Sequence, residues 1–248
     1  MLEINYKESG DQVIAEVQHD LLSKLGEYKM LGLNVLLLLS GGSALKLLES
    51  GFDFSVLGPH VTIGVLDERY TDDENFSNYA QLVKSGFIGK AIEAGCREFI
   101  DTRVKNGETS SDLRTSFDLA LHRWHENNPL GKIVATIGMG DDGHTAGLIP
   151  SGNNFEQIFS PTNTRWVEEL VVPTQLDGAR ERVTTTFNFL AMIAYGVMVV
   201  MGEGKMKAMK KLASEDGSHL ETPARWYRKT AGTIKCYTDC KIDSAVGV

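Results

Sequence analysis

The sequence predicts an α/β domain built on a mainly parallel sheet. Short, unbroken apolar runs recur along the chain and alternate with segments of helical periodicity, the pattern of strands covered by crossover helices. Several runs also end abruptly in glycines, serines or clustered charges. Ligands of open α/β sheets sit beyond the carboxyl ends of the strands, so those endings are where function is expected.

Val13, Ile14, Val17, Leu21, Leu22 and Leu25 follow the 3.6-residue period and predict an amphipathic helix from about residue 10 to 30. Val35–Leu39 is wholly apolar, as expected for a parallel strand buried on both faces, and runs into Ser40-Gly41-Gly42-Ser43. A short helix is expected over 44–49 and a strand over 61–66. Ser77 or Asn78 is expected to cap another helix. Leu113, Phe117, Leu121 and Trp124 form a helix stripe, and Ile133–Ile137 is a strand ending in glycines. Strands are expected over 166–172, 182–187, 196–201 and 233–237, with a helix from Glu203 to about Leu212. No repeat or linker-like stretch divides residues 1–248, so one domain is expected.

The chain carries 25 Lys+Arg against 33 Asp+Glu, a net charge of −8, which argues against a nucleic-acid footprint with its need for a basic face. A few cations converging in a cleft remain compatible with an anionic small molecule. No apolar stretch approaches the ~18 residues of a membrane-spanning helix, and the polar start MLEINYKESGD does not resemble a signal peptide. Three widely split cysteines, Cys96, Cys236 and Cys240, fit a reducing compartment, so a cytoplasmic location is expected. Cys236 and Cys240 lack zinc-site spacing, and His122 and His125 are expected on a solvated helix face. No G-x-S-x-G elbow offers a serine nucleophile.

Four clusters stand at strand ends. Ser40-Gly41-Gly42-Ser43 is either a capped turn or a backbone cradle for an anion. Asp67-Glu68-Arg69 sets three charges beyond an apolar run, and Arg69 offers a planar fork for phosphate or carboxylate. Gly138-Met139-Gly140-Asp141-Asp142-Gly143-His144 is the most informative. Histidine takes and returns protons near neutral pH, and Asp142 is placed to orient the imidazole or to bind a substrate hydroxyl. Gly202-Glu203-Gly204-Lys205 adds a lysine at a helix start, while Arg182 opens an expected strand.

SGGS, LDERY followed by SNY, GMGDDGHTAGLIP, RVT and GEGK occur in this order over most of the chain. Together they resemble the glucosamine-6-phosphate isomerase/6-phosphogluconolactonase family, on its lactonase side. His144-Thr145-Ala146 followed by an apolar stretch and Pro150 is the lactonase form of the third motif, and deaminases typically lack the arginine of DER. The resemblance implies a Rossmann-like three-layer fold (NagB/RpiA-like) with a mainly parallel central sheet. It implies hydrolysis of 6-phospho-D-glucono-1,5-lactone in the pentose phosphate pathway, with no cofactor and no required metal.

By the same resemblance His144 is the general base, with Asp142 beside it. Arg69 and Lys205, with Arg182 and the amides of Gly41, Gly42 and Ser43, hold the phosphate, and Asp67 faces the sugar. Ala44-Leu45 stands where the family usually has Thr-Pro, removing a hydroxyl and a helix-presetting proline. A glucosamine-6-phosphate deaminase or isomerase and a non-enzymatic sugar-phosphate sensor are the alternatives. The expected partner is a small sugar phosphate, neither nucleic acid nor membrane. Nothing in the sequence reports the oligomeric state.

Overall fold

The computed structural model describes residues 1–48, 51–149, 155–160, 162–176 and 179–242; at Ser43, Gln157 and residues 173–176 it describes the backbone alone. The central sheet contains β1 (Leu2–Tyr6), β2 (Val35–Leu39), β3 (Val61–Val65), β5 (Glu98–Phe99), β6 (Lys132–Gly138), β9 (Ile193–Val200) and β10 (Thr233–Thr238). Their order is β1-β10-β9-β6-β2-β3-β5, with every neighbouring pair parallel. A smaller antiparallel sheet joins β4 (Asp67–Arg69), β8 (Ala179–Thr185) and β7 (Val167–Leu176) in the order β4-β8-β7.

The helices are α1 (Gly10–Met30), α2 (Asn78–Lys84), α3 (Phe87–Glu93), α4 (Ser110–Asn127), α5 (Phe155–Ile158), α6 (Phe187–Leu190) and α7 (Met206–Ala213). Short 3₁₀ helices span Gly42–Leu48, Phe54–Val56, Glu203–Lys205 and Pro223–Arg228. Among the described residues, no helix is long and apolar enough to cross a membrane.

β2 explains the layering. All five of its residues are buried, and alternate side chains enter different cores. Val35, Leu37 and Leu39 pack with Val13, Val17, Leu21 and Leu25 of α1 and with α2 and α3. Leu36 and Leu38 pack with Leu113, Phe117, Leu121 and Trp124 of α4, with α7, and with Val167 and Val183 of the small sheet. Full burial of such a side chain contributes roughly 1.5–3 kcal/mol. A one-residue slip would exchange the two sets between cores of different shape, which fixes the register.

Helix and strand positions follow the sequence pattern in outline, with several departures. The strand expected over 182–187 is β8, which begins at Ala179, so Arg182 lies inside it, and Phe187 opens α6 instead. The helix expected from Glu203 begins as a 3₁₀ turn, and α3 and β5 had no expected counterpart. The polar N-terminal segment forms β1, an edge strand with both faces largely exposed, so it has no apolar run to announce it. Asp67-Glu68-Arg69 is a strand of the small sheet rather than an exit loop. The helix expected over 44–49 is the 3₁₀ helix Gly42–Leu48, and Glu49 lies outside the described residues. His122 is not simply solvated; its ring stacks on Trp166 with centroids 3.7 Å apart.

Candidate active site

The chain order reverses at β2 and β6: β2 continues to β3 on one side, and β6 leads to β9 on the other. Backbone pairing of β2 with β6 ends at Leu38 and Ala135. Beyond it, side chains continue the ladder. The Ser40 N–H donates to Thr136 Oγ1 (3.0 Å), and the Gly138 N–H donates to Ser40 Oγ (3.3 Å). The strands part there and open a crevice of the kind that binds ligands at a topological switch point.

A cavity of about 490 Å³ occupies the crevice, lined by groups from all four clusters, including Gly41, Gly42, Asp67, Arg69, Asp142, His144 and Lys205. Segments separated by more than a hundred residues therefore meet in one pocket because their strands are neighbours. The Ser43 side chain lies outside the described residues. Arg182 does not line the cavity. It sits on β8 directly opposite Arg69, buried, with Nη1 donating to the carbonyls of Ala179 (2.9 Å) and Glu181 (3.4 Å).

The loop after β6 shapes the acid–base pair. Asp142 Oδ1 accepts from the His144 backbone N–H (3.0 Å) and lies 2.6 Å from His144 Nδ1. The hydrogen bond from His144 holds the Asp142 carboxyl down at about 2, so Asp142 is ionised and only accepts. Nδ1 therefore carries the shared proton, and Nε2 is the basic nitrogen. Gly140 makes room for the pair: a Cβ there would stand 2.1 Å from His144 Nδ1 and 2.8 Å from Asp142 Oδ1.

The same loop stores backbone strain. Ala146 has φ +47°, outside the ordinary range for a residue with a side chain, and such positions cost about 1–3 kcal/mol. Thr184 Oγ1 donates to the Ala146 carbonyl, and the Leu148 N–H donates to the Thr145 carbonyl (2.8 Å). The Ala224 N–H donates to the Gly143 carbonyl (3.0 Å), which braces the loop from the C-terminal region.

Glu68, unassigned in the sequence, is the keystone of the neighbouring wall. Its carboxyl is fully buried and accepts from five donors. Oε1 takes the N–H groups of Arg69 (2.8 Å) and Asn78 (2.6 Å), and Oε2 takes the Tyr79 N–H (3.0 Å) with the hydroxyls of Ser77 (3.2 Å) and Thr102 (2.9 Å). Burial pushes this carboxyl up to about 7, against the opposing pull of those donors. Glu68 thus ties DER to SNY. Ser77 is the cap of α2, its side chain accepting from the Ala80 N–H.

Asp67 is almost wholly buried, and burial raises its carboxyl above the usual range while the nearby Arg69, Arg182 and His144 pull it back. Arg69 reaches the cavity with Nη1 donating to the Phe76 carbonyl (3.0 Å). Lys205 Nζ pairs with the exposed Asp141 carboxylate at 2.7 Å. Among the described residues, no group of three or more His, Cys, Asp or Glu side chains converges as a metal site.

The family described as glucosamine-6-phosphate isomerases/6-phosphogluconolactonase matches residues 8–236. The chain belongs to this family. Within the glucosamine-6-phosphate isomerase/6-phosphogluconolactonase family, the chain is 29% identical to the 6-phosphogluconolactonase of Pseudomonas aeruginosa over 226 residues, covering 90% of this chain and 88% of that protein. It is 28% identical to the 6-phosphogluconolactonase of Rhizobium meliloti, covering 71% and 72%. In fold it is similar to the crystal structure of a 6-phosphogluconolactonase from Shewanella baltica, with TM-score 0.74, 18% identity and coverage of 96% and 97%.

Proposed function

We propose that the chain hydrolyses 6-phospho-D-glucono-1,5-lactone to 6-phospho-D-gluconate, a step of the pentose phosphate pathway, in the cytoplasm. The observation that carries this reading is the 2.6 Å Asp142–His144 contact in a cavity that Arg69 and Lys205 also line. A general base beside two cations suits an ester whose far end is an anion. The names of the related proteins point the same way.

In this reading the phosphate meets Arg69, Lys205 and the backbone at Gly41 and Gly42. It displaces the Asp141 carboxylate from Lys205, at little cost because Asp141 is exposed and returns to water. Binding energy at the phosphate fixes the ring and turns C1 toward a water beside His144. Nε2 takes a proton from the water as its oxygen bonds to C1. The tetrahedral intermediate then collapses, the C1–O5 bond breaks, and the imidazolium returns the proton to O5. Asp142 holds the imidazole in the required tautomer and stabilises its charged form. Such base assistance is typically worth ~10²–10⁴-fold. Arg182 supports the site from behind, its charge acting on Asp67.

The test is acid release from freshly made lactone, phosphorylated and unphosphorylated side by side, above the uncatalysed rate. Faster hydrolysis with clear preference for the phosphorylated lactone is expected. Ammonia release from glucosamine 6-phosphate without lactone hydrolysis would overturn the reading in favour of the isomerase branch. Ligand-induced thermal stabilisation without turnover would favour a sensor.

A further inference from the structure

β1 ends the seven-stranded sheet, and among the described residues it pairs with β10 alone. Its backbone groups divide into two sets. The Met1 carbonyl accepts from the Ile234 N–H (2.9 Å), and the Lys7 N–H donates to the Thr238 carbonyl (2.8 Å). Alternate residues of a parallel strand face its neighbour, so Met1, Glu3, Asn5 and Lys7 turn their backbone groups toward β10. Those of Leu2, Ile4 and Tyr6 point out of the sheet, an open template for another strand. Neither a proline nor a bulge interrupts it. At the opposite end of the sheet, β5 has two residues and offers no comparable ladder.

The side chains say what this edge fits. Ile4 and Tyr6 are 37% and 47% exposed on one face of the strand, while Glu3, Asn5 and Lys7 share the other. An antiparallel copy of β1 must set outward-facing residues against outward-facing residues, which leaves few registers. One of them puts Ile4 opposite Tyr6, Glu3 opposite Lys7, and Asn5 opposite Asn5 on a twofold axis. A slip of two residues either way sets Glu3 or Lys7 against Asn5 and loses both charge pairs. Lys7 Nζ lies 3.3 Å from Glu16 Oε1 of its own chain, so the second copy's Glu3 gives this ammonium a carboxylate on each side.

We propose that β1 is a self-association edge, through which two copies of this chain join as antiparallel strands into one continuous sheet. Ile4 of one copy and Tyr6 of the other exchange backbone hydrogen bonds, each N–H donating to the opposite carbonyl, and their side chains pack as cross-strand pairs. The Glu3–Lys7 pairs select the register. Each copy contributes one short strand, so the dimer belongs to the weak, transient class, with Kd on the order of 10⁻⁵ M. β10 and β9 stand between β1 and the crevice at β6, so each copy keeps a complete site.

Sedimentation velocity of the full chain tests the association, in about 0.15 M salt to screen the repulsion between copies of net charge −8. A monomer–dimer equilibrium that shifts with protein concentration is expected. Ile4→Pro removes an outward N–H and none of the bonds to β10, and is expected to weaken the dimer about 10-fold or more. Asn5→Cys sets two thiols across the axis with Cα atoms about 4.5 Å apart, within disulfide reach. Oxidised glutathione is expected to link Asn5→Cys into a covalent dimer on a non-reducing gel. Glu3→Cys faces Lys7 and is expected to stay unlinked, and the native Cys96, Cys236 and Cys240 are buried. A wild type that remains monomeric up to about 1 mM overturns the proposal, as does a dimer that Ile4→Pro leaves intact. If Ile4→Pro does not fold, the crosslinking decides: equal linkage of Asn5→Cys and Glu3→Cys, or none of either, overturns it.

Discussion

Asp142 Oδ1 binds His144 twice, accepting from the backbone N–H at 3.0 Å and from ring Nδ1 at 2.6 Å. One carboxylate oxygen therefore fixes both the turn of the loop and the rotation of the imidazole. Asp142→Asn keeps the shape but turns a strong acceptor into a weak one. The expected result is a fall in kcat on the order of 10²-fold with KM little changed, measured by lactone hydrolysis. A KM effect alone would mean that Asp142 binds substrate instead.

Gly140 is a steric requirement of that pair. Gly140→Ala would push a methyl group into the His144 ring, which a Cβ approaches to 2.1 Å. The ring must move, and misplacement of about 1 Å can cost ~10²-fold in rate. The variant is expected to lose activity on that scale while keeping a cooperative thermal transition. Full activity would show that the pair forms differently.

Arg69 and Arg182 face each other across β4 and β8 yet are expected to fail in different ways. Arg69 lines the cavity, so Arg69→Gln should raise KM by roughly 10–100-fold, as for a lost charged hydrogen bond, with stability little changed. Arg182 is buried behind Asp67, so Arg182→Gln should cost about 3 kcal/mol of stability in urea unfolding. The reverse pattern would exchange their roles.

Glu68 makes stability depend on pH. Its carboxyl is raised from 4.5 to about 7 by burial, so the native state favours the neutral form. Its contribution is fully present below pH 4.5 and is lost as pH rises through 7. Glu68→Gln mimics the neutral form but offers one acceptor oxygen in place of two. It strands at least one buried N–H, at a cost of about 2 kcal/mol. The gap in Tm between wild type and variant should be wider at pH 5 than at pH 8. A gap that widens toward pH 8 would show that the ionised form is the one the fold prefers.

What the sequence made legible was local. Val35–Leu39 announced a strand buried on both faces, and Asp142 with His144 stood two residues apart in one glycine-rich turn. β1 was not legible because an edge strand with exposed faces has no apolar periodicity. The place of Arg182 depends on its register against β4, a pairing made across more than a hundred residues that no local pattern encodes. The work of Glu68 was hidden for a different reason: its donors at residues 69, 77, 78, 79 and 102 converge only once the chain after β4 folds back over it, and no periodic pattern encodes that turn. A signal did exist: SNY accompanied DERY, and a charge beside a buried strand asks for partners.

His144→Ala is the most direct test of the role given to the imidazole, with hydrolysis of 6-phosphogluconolactone followed above its uncatalysed rate. A fall in kcat of ~10²–10⁴-fold, with KM within a few-fold of wild type, is expected for loss of a general base. An unchanged kcat would contradict it and move the chemistry to another residue.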